Sequence, residues 1–467
     1  MRFKFSLVVL FALLRTAWAA EVPPDVLLIV ADDLRADVMS VYGGPVKTPN
    51  LEALAARGSV FDRATCGYPI CHVSRSELIT GRCLVTEAAT GRLVPLRPEW
   101  SLWPEVMRRA GWHTVHSGKW HVEGTPWTRG YEATSGLFSA GGAKSLPLTL
   151  KQSATGRPVT GYVGWTFKTN ENTPIPELGV GLTSDTDDRV VDGGIEAIRR
   201  AKPDRPLFLH VNLTAPHDPL HWPTGRENRY RTVDLKLPAN FQPNHPFDHG
   251  NANGRDELIV PAPRSEADVR AERAVYHARV ESIDSQVGRI IKAMADRRDL
   301  QRTIVIFTSD QGLAVGSHGL MGKQNNYEHT ARVPLILAGP EVPPGKRFAA
   351  QCALRDLYPT VCELTGQPVP GGLDGKSLVP VLRGRADEVH EAVFGYFTDT
   401  QRMIRTPDGW KFIWYPKAGR TQLFHLAGDL DELQDLSKDP VHADRLHHMK
   451  RQLQAWLREH GDPLGMD

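Results

Sequence analysis

Short apolar runs alternate along the chain with segments in which apolar residues recur every three or four positions. The runs predict buried strands at residues 26–31, 113–116, 207–213 and 303–308, and the periodic segments predict helices at 49–57, 102–110, 187–200 and 265–297. Strands that alternate with helices are typical of an α/β domain with a mostly parallel sheet. We therefore expect such a domain over residues 20–384.

The pattern changes after Gly384. Shorter runs at 392–397, 403–406, 410–415 and 422–425 predict antiparallel strands, and residues 442–459 predict a helix after them. These elements indicate a small C-terminal α+β subdomain over residues 385–467. The segments 123–185 and 222–263 are rich in Gly, Pro, Asn and aromatic residues, and we expect them to be loops that cap a functional site.

Polar side chains follow each of the four strands predicted in the larger domain. In chain order they are Asp32, Asp33, Lys119, His121, His217, Asp310 and Gln311. Because open α/β sheets bind ligands beyond the carboxyl ends of their strands, we expect these side chains to form one site. The alternative is that they are ordinary loop residues, since loops are polar, but this explains the mix of acidic and basic groups less well.

Composition and charge limit the partners of such a site. The 467-residue chain has 56 Lys and Arg against 54 Asp and Glu, a formal net charge of +2, so bulk electrostatics favour neither nucleic acid nor a membrane surface. An anionic substrate must therefore be recognised locally. No stretch after the N-terminus approaches the ~20 apolar residues of a spanning helix, so we expect no membrane span in the mature chain.

The N-terminus has the features of an export signal. A basic start precedes an apolar run at residues 5–14, and Ala-Trp-Ala at 17–19 has the spacing of a cleavage site. Residues 1–19 are therefore predicted to be a signal peptide, with retention as an anchor as the alternative. We expect the mature protein to be periplasmic or extracellular, or to occupy a lysosomal type of compartment.

The chain has five cysteines, at positions 66, 71, 83, 352 and 362. In an oxidising compartment Cys352 and Cys362 are close enough in sequence to form a disulfide, and unbridged buried thiols are an equal alternative. Cys71 differs from the others because it stands inside a recognisable motif.

The segment from Cys71 to Arg82 is the most specific motif in the sequence. It reads Cys-His-Val-Ser-Arg over 71–75 and ends in Thr-Gly-Arg over 80–82. It resembles the signature of the formylglycine-dependent sulfatases, C-x-P-S-R followed by x-x-x-x-T-G-R, with Val73 in place of the usual Pro. Further agreement with this family spans most of the chain in the family's order, at residues 111–121, 309–312, 316–323 and 327–335.

The resemblance implies a fold and a reaction. The family's fold is an alkaline-phosphatase-like three-layer α/β sandwich with a mostly parallel central sheet, of which residues 20–384 would be the catalytic domain. The implied reaction is hydrolysis of a sulfate ester on a sulfated small molecule or glycan. Cys71 would be converted to formylglycine (3-oxoalanine) by a formylglycine-generating enzyme, and its hydrated form would supply the hydroxyl that attacks sulfur.

The resemblance also implies roles for individual residues. The expected metal ligands are Asp32, Asp33, Cys71, Asp310 and Gln311. The oxygen atoms of the three aspartates and of Gln311 favour a hard ion, Ca²⁺ or Mg²⁺, over zinc, and the resemblance implies Ca²⁺. The expected catalytic residues are Arg75 and Lys119 on the sulfate, Asp310 and His121 at the two hydroxyls, and His217 and Lys323 on the leaving-group side, with His318 as a candidate substrate contact.

Two other functions stay open on the sequence. One is a phosphoester or phosphonate hydrolase of the same fold, and the other is a noncatalytic sulfated-glycan binder in which Cys71 stays a thiol. A zinc pair at His217 and His221 is disfavoured because Pro219 interrupts the helix that would align them. Loop residues that could contact a sugar, or equally pack against the scaffold, are Trp127, Arg129, Trp165, Lys168, Trp222, Arg226 and Arg229.

Overall fold

A ten-stranded mixed sheet forms the centre of the computed structural model, which describes residues 22–90, 93–298 and 300–465. Its strands are β1 (Asp25–Ala31), β2 (Gly58–Thr65), β3 (His113–Trp120), β4 (Ala133–Ser139), β5 (Thr166–Lys168), β6 (Leu207–Asn212), β7 (Thr303–Ser309), β8 (Arg332–Val333), β9 (Leu335–Ala338) and β10 (Lys346–Ala353). They lie in the order β10-β2-β9-β7-β1-β6-β3-β4-β5, with β8 beside β2. The predicted signal peptide at 1–19 lies outside the described residues.

The middle of this sheet is parallel, as predicted. β1 pairs in parallel with β6 and β7, so that Ile29 lies opposite Val211 on one side and Phe307 on the other. β3 pairs in parallel with β6 and β4, whereas β9 and β5 run antiparallel to their neighbours. The carboxyl ends of β1, β3, β6 and β7 therefore meet at one edge of the sheet.

Helices cover both faces of the sheet. The helices of the described residues are α1 (Pro49–Arg57), α2 (Cys71–Thr80), α3 (Trp103–Arg109), α4 (Thr186–Arg200), α5 (Glu266–Arg297), α6 (Glu328–Ala331), α7 (Leu357–Leu364), α8 (Val379–Leu382) and α9 (Ala443–Glu459), of which α9 packs on the C-terminal sheet instead. Leu27 and Ile29 of β1 pack with α4 and α5, while Val26 and Leu28 pack with α3 and α7. Because successive strand side chains point to opposite faces, the result is the expected three-layer sandwich. None of the helices described combines the length and apolar character needed to cross a bilayer.

A separate antiparallel sheet forms the C-terminal part of the chain. Its four strands, in spatial order, are β11 (Val393–Phe397), β12 (Gln401–Arg405), β13 (Trp410–Tyr415) and β14 (Arg420–His425). Phe412 on one face packs with Leu453 of α9, and Ile413 on the other face packs with Tyr327 of the larger domain. The predicted α+β character is thus confirmed, while the boundary after residue 384 stays a prediction.

Two parts of the main sheet differ from the sequence prediction. The segment 123–185, predicted as loops, contains β4 and β5, which extend one edge of the sheet. β4 reads ATSGLFS, and its hydroxyl residues and glycine conceal the apolar pattern of a strand. β3 continues to Trp120 because Ser117 and Lys119 are buried in polar contacts, with Val190 and Asp32, instead of following the strand.

The five cysteines are free thiols in this structure. Cys352 lies in β10 and Cys362 in α7, and both are buried in the same apolar cluster. Of the two alternatives, the structure therefore has unbridged thiols and no disulfide between Cys352 and Cys362.

A buried ion-pair cluster joins the two sheets and should be important for stability. Glu328 of α6 accepts hydrogen bonds from Arg405 of β12 at 3.0 Å and from Lys411 of β13 at 2.9 Å. Glu328→Ala would leave Arg405 buried without its paired carboxylate, so we expect the free energy of unfolding to fall by about 3–5 kcal/mol.

Denaturant titration of the two proteins would measure this loss. The matched control is Glu341→Ala, which breaks a more exposed pair with Arg383 and should cost less than about 1 kcal/mol. Equal losses in both variants would show that the buried pair stabilises the protein no more than the exposed pair does.

Candidate active site

The polar residues predicted at the ends of β1 and β7 lie together at one edge of the main sheet. The backbone N–H of Asp33 donates to Oδ1 of Asp310 at 3.1 Å, and Nε2 of Gln311 lies 2.5 Å from Oδ1 of Asp33. Asp32, Asp33, Asp310 and Gln311 are all buried. The sheet therefore gathers four of the predicted ligands at one point.

Cys71 is the first residue of α2, and its side chain reaches this point. Its Sγ lies 3.2 Å from Oδ1 of Asp32, 3.1 Å from Nε2 of Gln311 and 3.3 Å from Nζ of Lys323. The partial positive charge of a helix N-terminus favours negative charge at this position. An oxygen in place of the sulfur would thus lie among the same three side chains.

Arg75 lies one turn after Cys71 on the same face of α2, because residues four apart on a helix are neighbours. Its guanidinium donates to Oδ2 of Asp310 at 2.8 and 2.9 Å and to Oδ1 of Asn212 at 2.5 Å. Burial outweighs the opposing effect of Arg75 and raises the pKa of Asp310 to about 6. The motif thus places a nucleophile candidate and a fixed cation side by side.

Two buried lysines compensate the charge of the first two aspartates. Lys119 donates to Oδ2 of Asp32 at 2.5 Å, and Lys323 donates to Oδ2 of Asp33 at 2.8 Å. Burial alone would raise the pKa of Asp32, but Lys119 and the other cations around it hold that pKa well below its ordinary value. The Asp32 carboxylate can therefore stay ionised although it is buried.

His217 lies beside Asp33 with its other ring nitrogen held by the next residue. Its Nε2 is 3.7 Å from Oδ2 of Asp33, and its Nδ1 is 2.5 Å from the backbone oxygen and 3.1 Å from Oδ1 of Asp218. Burial and Lys323 would lower the pKa of His217, but Asp33 and Asp218 outweigh them and raise it well above the ordinary value. The geometry suits a protonated imidazole that faces the site.

His121 lies near the same cluster in a more apolar environment. Its ring centre is 5.1 Å from that of Trp165 and 5.7 Å from that of His72. Burial and the neighbouring Lys119 lower the pKa of His121 well below its ordinary value. The lowered pKa favours the neutral form of this imidazole.

Tyr162 covers the cluster, and sequence reasoning missed it. Its hydroxyl donates to Asp32, and its ring centre is 5.2 Å from Nζ of Lys119 and 4.8 Å from the ring of His217. Its φ of 57° is a conformation that non-glycine residues rarely adopt and that is often found at functional sites. No motif marks Tyr162, since it is one aromatic residue in a long loop segment.

His318 lies apart from the other predicted residues. It stacks on Tyr327 with ring centres 4.0 Å apart and lies 5.7 Å from the ring of His329. Within the described part of the chain, none of its contacts is with Cys71 or the aspartates. The structure therefore does not bring His318 to the cluster.

Most of the loop residues considered for sugar binding contact other parts of the protein. Arg226 and Arg229 pair with Glu281, Arg129 pairs with Glu123, Lys168 donates to the carbonyl of Ala140, and Trp127 and Trp222 pack against the core. Trp165 differs from these because it contacts the site through His121. The other six therefore have partners within the protein, and sugar contact by them stays a prediction.

The cluster fits a divalent metal ion. Asp32, Asp33, Cys71 and His217 each present a ligand atom, and these atoms lie within 4.8 Å of one another. Oε1 of Gln311 is buried without a hydrogen-bond partner, while Nε2 of the same amide faces Asp33 and Cys71. If the side-chain amide of Gln311 is rotated by a half turn, its oxygen faces Asp33 and Cys71 in place of its nitrogen. The possible ligands would then include one more oxygen beside the carboxylates, and hard cations prefer oxygen ligands.

Comparison with known families agrees with this geometry. The family model described as Sulfatase matches residues 24–367 of the chain. The chain belongs to the sulfatase family. A second model, described as N-sulphoglucosamine sulphohydrolase, C-terminal, matches residues 316–459 of this sulfatase. The expected alkaline-phosphatase-like fold and the expected enzyme class, hydrolysis of sulfate esters, are both confirmed.

Individual relatives cover nearly the whole of this sulfatase. It is 27% identical over 458 residues to the arylsulfatase of Clostridium perfringens (strain 13 / Type A), which covers 92% of this chain and 93% of that protein. The structure of BT4656 in complex with its substrate D-glucosamine-2-N,6-O-disulfate is similar at a TM-score of 0.73 and 19% identity, over 94% of this chain and 99% of that one. A phosphonate monoester hydrolase from Silicibacter pomeroyi is similar at a TM-score of 0.74 and 22% identity, over 93% and 95%. These structures share the fold.

Proposed function

We propose that this sulfatase removes sulfate from a sulfated carbohydrate and that Cys71, oxidised to formylglycine, carries the nucleophile. The observation behind this proposal is that Sγ of Cys71 lies within 3.1–3.3 Å of Asp32, Gln311 and Lys323, at the start of a buried helix. A thiolate is a soft partner for a hard ion, whereas an oxygen at the same position suits one. When oxidised and hydrated, residue 71 would supply a hydroxyl for attack on sulfur.

We infer that the metal ion is Ca²⁺, with Mg²⁺ as the alternative. The proposed ligands are Asp32, Asp33, Asp310, Gln311 and the oxidised residue 71. When bound, the ion would supply positive charge that polarises the nucleophilic oxygen and stabilises the charge that develops on the sulfate. Carboxylate and amide oxygens favour such a hard ion over zinc.

Arg75 and Lys119 are proposed to bind the anionic oxygens of the sulfate group. Both side chains are buried. The ion pairs of Arg75 with Asp310 and of Lys119 with Asp32 hold them in position before any substrate binds. Cations that are held in place in a dry site stabilise developing negative charge strongly, since they need no reorganisation. The sulfate is therefore expected to bind between these two side chains.

Three residues are proposed to move protons. Asp310, whose pKa is raised to about 6, would accept the proton of the attacking hydroxyl. His121 is neutral and would accept a proton from residue 71 as the product is released. His217 would donate a proton to the leaving oxygen, and the positive charge of Lys323 would stabilise the negative charge that develops on that oxygen.

The carbohydrate as substrate class rests on two observations. BT4656, which shares the fold, has a disulfated glucosamine as its substrate. In this chain the rings of Tyr162 and Trp165 provide apolar surface beside His217 and His121, and ligand sites commonly combine apolar surface with a few polar groups. His318 as a substrate contact stays a prediction.

A phosphonate monoester hydrolase is the second candidate function, because the Silicibacter pomeroyi enzyme shares the fold at a TM-score of 0.74.

We further propose that the chain is exported and that a formylglycine-generating enzyme modifies it before it folds. Cys71 is only 3% exposed and belongs to a helix in the folded protein. A modifying enzyme could therefore not reach its thiol after folding.

The experiment that tests the proposal begins with the peptide that contains Cys71. We expect the tryptic peptide from active protein to be about 18 Da lighter than the thiol form, as oxidation to the aldehyde requires. An unmodified thiol in active protein would contradict the role of Cys71.

The same preparation would then be assayed for its substrate class. The panel contains sulfated monosaccharides and disaccharides, choline sulfate and a phosphonate monoester. We expect the highest kcat/KM on a sulfated sugar. Turnover confined to choline sulfate would exclude a carbohydrate, and faster cleavage of the phosphonate would favour the second candidate.

A further inference from the structure

The Nδ1 side of His217 is fixed by the residue that follows it. Nδ1 lies 2.5 Å from the backbone oxygen of Asp218 and 3.1 Å from Oδ1 of the same residue. Both atoms only accept hydrogen bonds, so Nδ1 must carry a hydrogen. Nε2, the nitrogen near Asp33, is then left as the atom that can exchange a proton in the site.

Asp218 is in turn held by Arg255. The two side chains form a bidentate pair, with Nη2 of Arg255 3.0 Å from Oδ1 of Asp218. Asp218 is 5% exposed, whereas the Arg255 side chain is 36% exposed. A carboxylate clamped by an arginine fork keeps one orientation, which His217 alone would not impose.

Arg255 also connects to the other residue proposed on the leaving-group side. It pairs with Asp256, which accepts a hydrogen bond from Nε2 of Gln324 at 2.9 Å. Gln324 directly follows Lys323 in the chain. Arg255 therefore anchors the supports of both His217 and Lys323.

We propose that Asp218 and Arg255 are positioning residues that hold His217 as the acid for the leaving oxygen and so allow cleavage of esters with basic leaving groups, such as sugar alcohols. This rests on the proposed function of His217. A carboxylate and a carbonyl that both accept from Nδ1 fix the tautomer and the ring orientation of the imidazole, so that Nε2 faces the site. A sugar alcohol needs this proton when the bond to sulfur breaks, whereas a nitrophenolate can leave without it.

The packing around the pair leaves little freedom for another arrangement. A Cβ on Gly161 would lie 2.9 Å from Nη1 of Arg255 and 2.9 Å from Oδ2 of Asp218. The loop that carries Tyr162 therefore closes directly over the pair. This closure keeps solvent away from the side of His217 that faces Asp218.

The test compares two aryl sulfates with each variant of the formylglycine-bearing enzyme. Phenyl sulfate has a leaving group about as basic as tyrosine, with a pKa of about 10, and 4-nitrophenyl sulfate has a far less basic one. For Asp218→Asn we expect kcat on phenyl sulfate to fall about 10- to 100-fold more than kcat on 4-nitrophenyl sulfate. Arg255→Gln, at a more exposed position, should show the same selectivity with a smaller loss.

Two reference variants separate positioning from general damage. His217→Gln should show the largest selective loss on phenyl sulfate, and adding Asp218→Asn to it should cause little further loss, because the pair acts through His217. Asp462→Asn is the matched control, since Asp462 forms a buried bidentate pair with Arg402 in the C-terminal part. It should affect both substrates equally or not at all.

The outcomes distinguish this inference from the proposed function. If His217→Gln is selective but Asp218→Asn and Arg255→Gln reduce both substrates equally, the pair is structural and the inference is wrong, while His217 keeps its role. If His217→Gln itself lacks selectivity, the proposed acid is wrong and the inference falls with it. If Asp218→Asn does not fold, as a thermal melt would show, the selectivity of Arg255→Gln decides.

Discussion

Replacing Cys71 by alanine is expected to abolish sulfate release, with kcat falling on the order of 10³-fold or more. Alanine cannot be oxidised to an aldehyde, so the proposed nucleophile would be lost. Asp32, Gln311 and Lys323 would each lose a contact that lies within 3.3 Å, but the helix that residue 71 begins needs no side chain there. We therefore expect a folded and inactive protein, checked by thermal melting and by assay on a sulfate ester.

Cys352→Ala is the matched control for this variant. Cys352 is a buried, free thiol in β10 and has no contact with the site. Its loss should reduce stability slightly and leave kcat nearly unchanged. Wild-type turnover by Cys71→Ala would overturn the covalent mechanism, and equal inactivation of both variants would point to a folding defect.

Replacing Asp310 by asparagine is expected to have an effect of similar size. Oδ2 of Asp310 accepts from the Arg75 guanidinium, and Oδ1 accepts from the backbone N–H groups of Asp33 and Gln311. Both oxygens therefore face donors, so the NH₂ group of asparagine would oppose one of them on either side. The change also removes a proposed metal ligand and proton acceptor, and we expect kcat to fall on the order of 10³-fold.

Asp284→Asn is a close control for this change. Asp284 is a buried aspartate of α5 that also accepts from backbone N–H groups, those of Asn50 and Leu51, which are not residues of the site. It should show a similar drop in melting temperature with kcat within about threefold of wild type. Metal content measured on both variants should be reduced for Asp310→Asn alone, and an unchanged content and rate would contradict the assignment.

The mostly parallel sheet and the position of the site could be predicted because both depend on local pattern. Apolar runs followed by Asp32 and Asp310 place these carboxylates at strand ends, and parallel neighbours bring such ends together. The motif spaces Cys71 and Arg75 four residues apart, and α2, a helix that the apolar pattern does not predict, brings both to one face. The motif spacing therefore sets this half of the site only together with the helix that the structure adds.

Contacts between distant segments could not be predicted in the same way. β4 lacks an apolar run because its polar residues are satisfied by neighbours, and Tyr162 reaches Asp32 from a loop 130 positions away. Arg255 reaches Asp218 across 37 positions with no motif at either residue. His318 stands in a motif, yet it packs against Tyr327 instead of reaching the cluster.

The sequence by itself determined the family, the order of the four central strands and the helices between them, and the identity of the charged groups at the strand ends, because periodicity and motif spacing are local properties of the chain. Only the tertiary structure decided which of these groups meet, how Lys119 and Lys323 compensate Asp32 and Asp33, and which residues support His217. The physical reason is that a pKa, an ion pair or a metal site depends on distances of a few ångströms between residues that lie far apart in sequence.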